Sequence, residues 1–102
     1  MSDPVIVIAR ARVMPEARER FLAAAHECIG VTRREHGCLA YDVHESATEP
    51  HFFLFLQSWE HREHVDRHFE QPHYRSFLSV AGACVMEPPV IEVIEPRSVD
   101  RL

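Results

Sequence analysis

The chain has 102 residues, of which 46% are hydrophobic and 26% charged, and its formal net charge is -5. This length and composition predict one globular domain, residues 3–96, with a short C-terminal tail, 97–102, and they exclude a disordered chain. All eleven basic residues are arginines interleaved with Asp and Glu, and the apolar runs are short, so neither nucleic-acid binding nor a membrane span is predicted.

The chain starts with an alternating segment, VIVIARARV, at residues 5–13. Val5 and Val7 share one face while Ile6 and Ile8 share the other, which predicts a β-strand. No basic leader with a long apolar run and cleavage site precedes it, so no secretion signal is predicted. The three cysteines are widely spaced and form no CxxC pair, which favours reduced thiols in a cytoplasmic protein.

A long amphipathic helix is predicted to follow, from Pro15 to Gly37. Proline suits the first helical turn, where its missing N–H costs nothing, and glycine suits the left-handed residue that ends a helix. Between them, one face of about five turns is predicted to be buried, because small or apolar side chains recur at helical spacing: Phe21, Ala25, Cys28, Ile29 and Thr32.

Three further strands are predicted. Leu39, Tyr41 and Val43 alternate with polar residues, and the segment HFFLFLQSW, residues 51–59, is apolar on both faces. After a helical region and the break MEPP, the segment VIEVIE, residues 90–95, predicts the last strand. The order strand, helix, strand, strand, helical region, strand predicts an α+β, ferredoxin-like βαββαβ fold with an antiparallel sheet.

The apolar character of both faces of the third strand predicts that the whole sheet is covered. Helices cover only one face in this fold, and we place Tyr41, Phe53 and Phe55 on the face that they leave bare. A second copy of the chain is the economical cover for such a surface. The sequence therefore predicts a homodimer that packs sheet against sheet.

Four histidines lie in the stretch HREHVDRHFEQPHYRSF, residues 61–77. On a helix centred on Val65, His61 and His68 flank the apolar stripe and His64 lies beside them. The spacing HxxHxxxH is compatible with a transition metal, but a fixed site also needs second-shell carboxylates, and two of the rings are expected to face solvent. We therefore predict no metal, and a second short helix from Pro72.

The segments REHGCLAYDVHE and PHFFLFLQSWEHREHVDRHFEQPHYRSF resemble the antibiotic biosynthesis monooxygenase family, especially its small quinol monooxygenase-like members. The shared elements, in order, are Glu35, Gly37, Cys38, Tyr41, Phe53, Trp59, His68 and Pro72-His73-Tyr74. The resemblance implies a dimeric α+β barrel with one pocket per subunit between the sheet and the helices. It also implies oxidation of a small phenol or quinol by molecular oxygen, with no cofactor. Gln57 departs from the family, which usually carries Glu there.

Such a reaction needs a base for the substrate hydroxyl, a dry aromatic slot and a donor that stabilises the oxyanion. His68, at the family's histidine position, is the first candidate base, and Trp59 is a second candidate catalytic residue. Candidate substrate-binding residues are Arg10, Tyr41, His44, Phe53, Phe55, His64, His73, Tyr74 and Phe77. His44 and His73 are alternative bases. Structural explanations stay open, with Trp59 as a core or dimer anchor and His68 as a partner of the turn before Pro72.

Other function classes stay open beside a monooxygenase. A non-catalytic dimeric module that binds a hydrophobic metabolite would carry the same aromatic slot. Haem degradation is less favoured, because members of that branch carry an Asn on the first strand and VIVIARARV has none. Relatives on the same fold isomerise small carbonyl compounds, and a fold does not by itself select the reaction.

Overall fold

A computed structural model describes residues 3–102 and contains a four-stranded sheet with three helices. The elements are β1 (Val5–Arg12), α1 (Arg18–Thr32), β2 (Cys38–Glu45), β3 (Phe52–Trp59), α2 (Arg62–Phe69), α3 (Pro72–Gly82) and β4 (Val90–Ile94). The strands are antiparallel in the order β2-β3-β1-β4. This is the ferredoxin-like arrangement, so the predicted fold class is confirmed. None of the helices described is long and apolar enough to cross a membrane.

The helices cover the sheet face that carries Tyr41, Phe53 and Phe55, so the predicted assignment of faces was wrong. All three side chains are at most 4% exposed. The ring of Phe21 on α1 packs against Phe53 and Phe55, with centroid distances of 5.2 and 6.0 Å. Alternation along a strand shows which residues share a face, but it does not show which face the helices cover.

The opposite face of the sheet is apolar along its centre and is left uncovered by residues 3–102. Ile8 of β1 lies there opposite Leu56 of β3, and Ile6 and Leu54 follow along the same face of their strands. Leu56 is 43% exposed and Ile94, on β4, is 40% exposed. The prediction that β3 is apolar on both faces is therefore confirmed, and this surface is called the outer face below.

The first helix is shorter than predicted, because it ends at Thr32 and not at Gly37. The backbone N–H groups of Arg34 and Glu35 bond to carbonyls three residues back, at 3.0 and 2.9 Å, and this tighter turn closes the helix. Gly37 has a φ of 86°, in the left-handed region, but it lies in the turn just before β2. The turn places Glu35 against α2 and α3.

The histidine-rich segment forms two helices, and α3 starts at Pro72 as predicted. His61 is the extended N-cap of α2, with φ -141° and ψ 158°, so a helical angle does not apply to it. Its backbone N–H donates to Nδ1 of His64 at 3.2 Å. His64 is 5% exposed while His61 is exposed, so the prediction that His61 flanks the buried stripe was wrong.

Candidate active site

An apolar cavity opens between the inner face of the sheet and the helices. It holds about 40 Å³ of space for water-sized molecules, room for only a few waters, within a wider concavity that is open to solvent. Small and aliphatic side chains from β1, β4 and α3 form much of its wall. Its aromatic wall consists of Phe21, Tyr41, Phe55, Tyr74 and Phe77. A planar, largely apolar ligand suits this lining.

Three side chains bring polar groups to the cavity wall, namely Tyr41, Gln57 and Tyr74. Burial raises the pKa of both tyrosines above its usual value of 10.0, so both phenols stay protonated at neutral pH. Gln57 is 3% exposed, and its Oε1 accepts a hydrogen bond from Nε1 of Trp59 at 3.0 Å. The polar side chains of the otherwise apolar wall are therefore neutral, and each carries a hydrogen-bond donor.

His68 lies directly behind this wall and is fully buried. Its ring packs against Tyr74, Trp59 and Tyr41, with centroid distances of 4.7, 5.0 and 5.3 Å. Within residues 3–102, its Nε2 is sealed from solvent and has no hydrogen-bond partner. A buried imidazole nitrogen without a partner is costly, which marks this atom as a candidate for chemistry.

Glu35 holds the other side of the His68 ring. Its Oε2 lies 2.7 Å from Nδ1 of His68 and 2.8 Å from Nε2 of His73. A carboxylate accepts, so Nδ1 of His68 carries the proton and Nε2 keeps its lone pair. Burial lowers the pKa of His68 below its usual value of 6.5, although Glu35 opposes this shift, so the ring is neutral at pH 7. This combination has the properties of a general base.

One ligand atom each from Glu35, His68 and His73 lies within 4.8 Å of the others, which makes this the group best suited to hold a metal ion among the residues described. Ligand atoms around a tetrahedral zinc stand about 3.3 Å apart, given metal–nitrogen bonds of about 2.0 Å. The two contacts here, 2.7 and 2.8 Å, are ordinary hydrogen-bond lengths. We therefore interpret the group as a hydrogen-bonded triad around Glu35.

The structure brings together most of the predicted site residues. Tyr41, Phe55, Tyr74 and Phe77 line the cavity. Behind its polar part, Trp59 packs on His68 and His73 joins it through Glu35. Phe53 lies in the core against Phe21 and does not line the cavity.

Three predicted residues lie elsewhere. Arg10 pairs with Glu92 and is on the outer face, as is the exposed His44, which stands opposite Leu54. Strand alternation places both on the side away from the cavity. His64 packs over Gly37 and caps α2.

Two residues of the site were not among the predicted site residues. Glu35 stands 33 positions before His68, so no local spacing joins them, although the motif REHGC contains it. Gln57 was noted only as a departure from the family pattern. Its place on the inner face follows from the alternation that buries Phe53 and Phe55, and that signal was available in the sequence.

A ferredoxin-like sheet, an apolar cavity under its helices and a hydrogen-bonded His–Glu pair together characterise an α+β domain with a candidate active site. A family model described as "Antibiotic biosynthesis monooxygenase" matches residues 4–79. The chain belongs to the antibiotic biosynthesis monooxygenase family, as the motifs of the sequence indicated.

Individual relatives agree with this assignment. The chain is 35% identical over 96 residues to "Putative monooxygenase Rv0793" of Mycobacterium tuberculosis, with 94% of each chain covered. The solved structure of that protein has a TM-score of 0.88 and covers 96% of this chain and 99% of its own. A crystal structure of an antibiotic biosynthesis monooxygenase has a TM-score of 0.86 at 26% identity, with 92% and 99% covered.

A longer relative is also similar. The chain is 32% identical over 91 residues to protein sll1783 of Synechocystis, which covers 89% of this chain. The chain spans only 62% of the length of that protein.

Proposed function

We propose that the protein is a cofactor-independent monooxygenase that oxidises a small phenol or quinol with molecular oxygen. The family supports a monooxygenase-type function, and the cavity supports the substrate class. The observation that carries the proposal is the neutral, buried His68, whose Nε2 lone pair has no partner among the residues described while Glu35 holds Nδ1.

In this proposal His68 takes the proton of the substrate hydroxyl on Nε2. The resulting phenolate or quinolate gives one electron to oxygen, and the substrate radical and superoxide join through a new C–O bond. The peroxide takes up the proton held by His68, and loss of water then leaves one oxygen atom in the oxidised product. The new imidazolium stays beside the Glu35 carboxylate, which stabilises its charge, as in other carboxylate–histidine pairs. Removing water from the cavity strengthens this interaction.

The ring of His68 does not line the cavity, so the substrate has to displace a side chain to reach Nε2. Tyr41 and Tyr74 are the side chains that both line the cavity and pack on His68. A shift of either ring on substrate binding would open the contact. Catalytic hydrogen bonds are often incomplete before the substrate binds.

Oxygen uptake with a panel of hydroquinones and phenols tests the proposal. Wild-type protein should consume oxygen with at least one of them, and uptake should decline below pH 6.5, because burial lowers the pKa of His68. His68→Gln should lose about 10²- to 10⁴-fold of this activity. The exposed His26 on α1 provides the matched control, since His26→Gln should leave the rate unchanged.

Glu35→Gln provides a second measurement on the same site. Glu35 raises the pKa of His68 by its hydrogen bond and its charge, so the variant should shift the acid limb of the activity profile to lower pH. A residue with only a structural role would lower the rate without moving that limb. Full activity of His68→Gln would refute the proposed base.

A non-catalytic binding module remains the competing function, because the sealed Nε2 is compatible with a purely structural histidine. A ligand that raises the melting temperature of the protein, with no oxygen uptake across the panel, would favour it. We further propose that the protein acts in the cytoplasm as a homodimer. The three cysteines, which are free thiols in the structure, and the apolar outer face support these two points.

A further inference from the structure

Gln57 has a fixed orientation at the polar part of the cavity wall. The indole nitrogen of Trp59 can only donate a hydrogen bond, so the group that faces it at 3.0 Å must be the amide oxygen of Gln57. Trp59 is fully buried and cannot turn away. The amide NH₂ of Gln57 therefore points away from Trp59.

That NH₂ group makes no hydrogen bond within residues 3–102. The side-chain polar atom that is both sealed and without a partner in this range is Nε2 of His68. The amide nitrogen of Gln57 also lacks a partner but is not fully sealed, and Gln57 lines the cavity although the residue is only 3% exposed. Its two N–H donors are thus unpaired at the edge of the cavity.

The surroundings of Gln57 favour an oxygen acceptor as its ligand. The β2–β3 register places Tyr41 beside it, and the β1–β3 register places Val7 on its other side. The cavity wall carries no carboxylate and no cationic side chain among the residues described. A hydrogen bond from a neutral amide to an anionic oxygen is strong in such a dry site.

We infer that Gln57 is a specificity-determining residue, whose NH₂ group binds an acceptor oxygen of the substrate, either a phenolate or a quinone carbonyl. This inference rests on the proposed function for the substrate class, but binding alone can test it. The cavity should prefer the deprotonated form of a bound phenol over its neutral form. An ionised carboxylate at position 57 would reverse this preference, because it repels an anionic oxygen and accepts the hydrogen bond of a neutral phenol.

The experiment uses 4-nitrophenol, whose phenolate absorbs visible light and whose neutral form does not. The dye is titrated with pH in the presence of saturating wild-type protein, and then with Gln57→Glu. A glutamate oxygen still accepts the Trp59 hydrogen bond, so this variant should fold. The apparent pKa of the bound dye should rise by about one unit or more in Gln57→Glu, a tenfold change in the relative affinity for phenolate and phenol.

Gln57→Leu is the second variant, because it removes the donors without adding a charge. The bound dye should have an apparent pKa between those of the other two proteins. The emission of Trp59, the single tryptophan of the chain, checks that the core is intact in each variant. An equal dye pKa in all three proteins, or no binding to the wild type, would overturn the inference.

The result of the dye titration does not depend on whether the protein oxidises a phenol or quinol. If the dye follows the expected order but no phenol or quinol drives oxygen uptake, the assignment of Gln57 stands and the monooxygenase proposal fails. If oxygen uptake is observed and the dye pKa does not change with residue 57, the monooxygenase proposal stands and the assignment of Gln57 fails.

Discussion

His68 illustrates how burial and a single partner set the chemistry of one side chain. The ring is fully buried, and burial lowers its pKa more than Glu35 raises it. The folded protein therefore prefers the neutral ring. The same preference that makes a base available at neutral pH makes the fold sensitive to acid.

The free energy of unfolding should accordingly fall as the pH drops below 6.5. In the unfolded chain the imidazole binds a proton near pH 6.5, whereas the folded protein resists protonation until a lower pH. The slope contributed by this one group is at most about 1.4 kcal/mol per pH unit. Urea unfolding between pH 7.5 and 5 would measure it, and His68→Gln should reduce the slope.

The salt bridge of Glu45 affects the free energy of unfolding in a lower pH range and does not interfere with this measurement. Its contact with Arg18 lowers the pKa of Glu45 from 4.5 to about 2, so its contribution is lost only as the pH falls between those values. Equal slopes above pH 5 for the wild type and His68→Gln would contradict the assignment of the acid sensitivity to His68.

Among single residues, the sequence predicted the types better than the partners. His68 was singled out by a motif, but its partner Glu35 is fixed by the turn that follows α1. His64, by contrast, was expected as a site residue set apart from the buried edge, whereas it is 5% exposed and caps α2. Contacts between residues far apart in sequence arise only when the elements pack.

At the scale of elements, the turn between α1 and β2 depends on Gly37. Its φ of 86° is unfavourable for other residues, and a Cβ atom there would lie 2.2 Å from Cγ of the buried His64. Because Gly37 has no Cβ atom, the imidazole of His64 can occupy the space that a side chain at position 37 would fill. This allows α2 to approach the start of β2.

Gly37→Ala should therefore destabilise the protein by about 2 kcal/mol or more, from backbone strain and the clash with His64. Thermal unfolding should show a melting temperature lower by about 10 °C for a domain of this size. Gly30→Ala is the matched control, because nothing lies within 4 Å of a Cβ atom at that position in α1. That variant should be neutral or stabilised by up to about 1 kcal/mol. Equal melting temperatures for the two variants would contradict this account of Gly37.

The boundaries of the elements were predicted with uneven success for physical reasons. Pro72 starts α3 because proline fixes its own φ and needs no N–H partner in the first turn. The end of α1 depends on backbone hydrogen bonds to Val31 and Thr32 carbonyls, which no residue type in the turn requires. Gly37 favours the left-handed conformation, but its presence does not decide whether that conformation ends α1 or lies in the later turn before β2.

For the whole molecule, the outer face is the surface through which we propose that two copies of the chain associate. Its centre is formed by Ile6, Ile8, Leu54 and Leu56. Ion pairs between arginines and glutamates, such as Arg10 with Glu92, lie toward one end of it. An apolar centre with a charged rim is typical of a twofold-symmetric interface.

Leu56→Arg should convert the proposed dimer to a monomer, because it buries an unpaired charge at the centre of the interface. Size-exclusion chromatography with light scattering at micromolar concentration would measure the mass. Ala23→Arg, at an exposed position of α1 on the opposite side of the molecule, should leave the mass at that of a dimer. A monomeric wild-type protein, with an intact fold, would refute the proposed association.

The sequence by itself determined the order of elements, the residues that share each face, and the family, because these depend on local periodicity and on spaced motifs. Only the tertiary structure decided which sheet face the helices cover, and it shows that Arg10 and His44 lie on the opposite face from the cavity. It also joined Glu35 to His68 and fixed the amide oxygen of Gln57 against the indole nitrogen of Trp59. These features depend on packing between segments that are distant in the sequence. The local pattern of residues allows several such packings equally, and a hydrogen bond or an aromatic contact between the segments selects one of them.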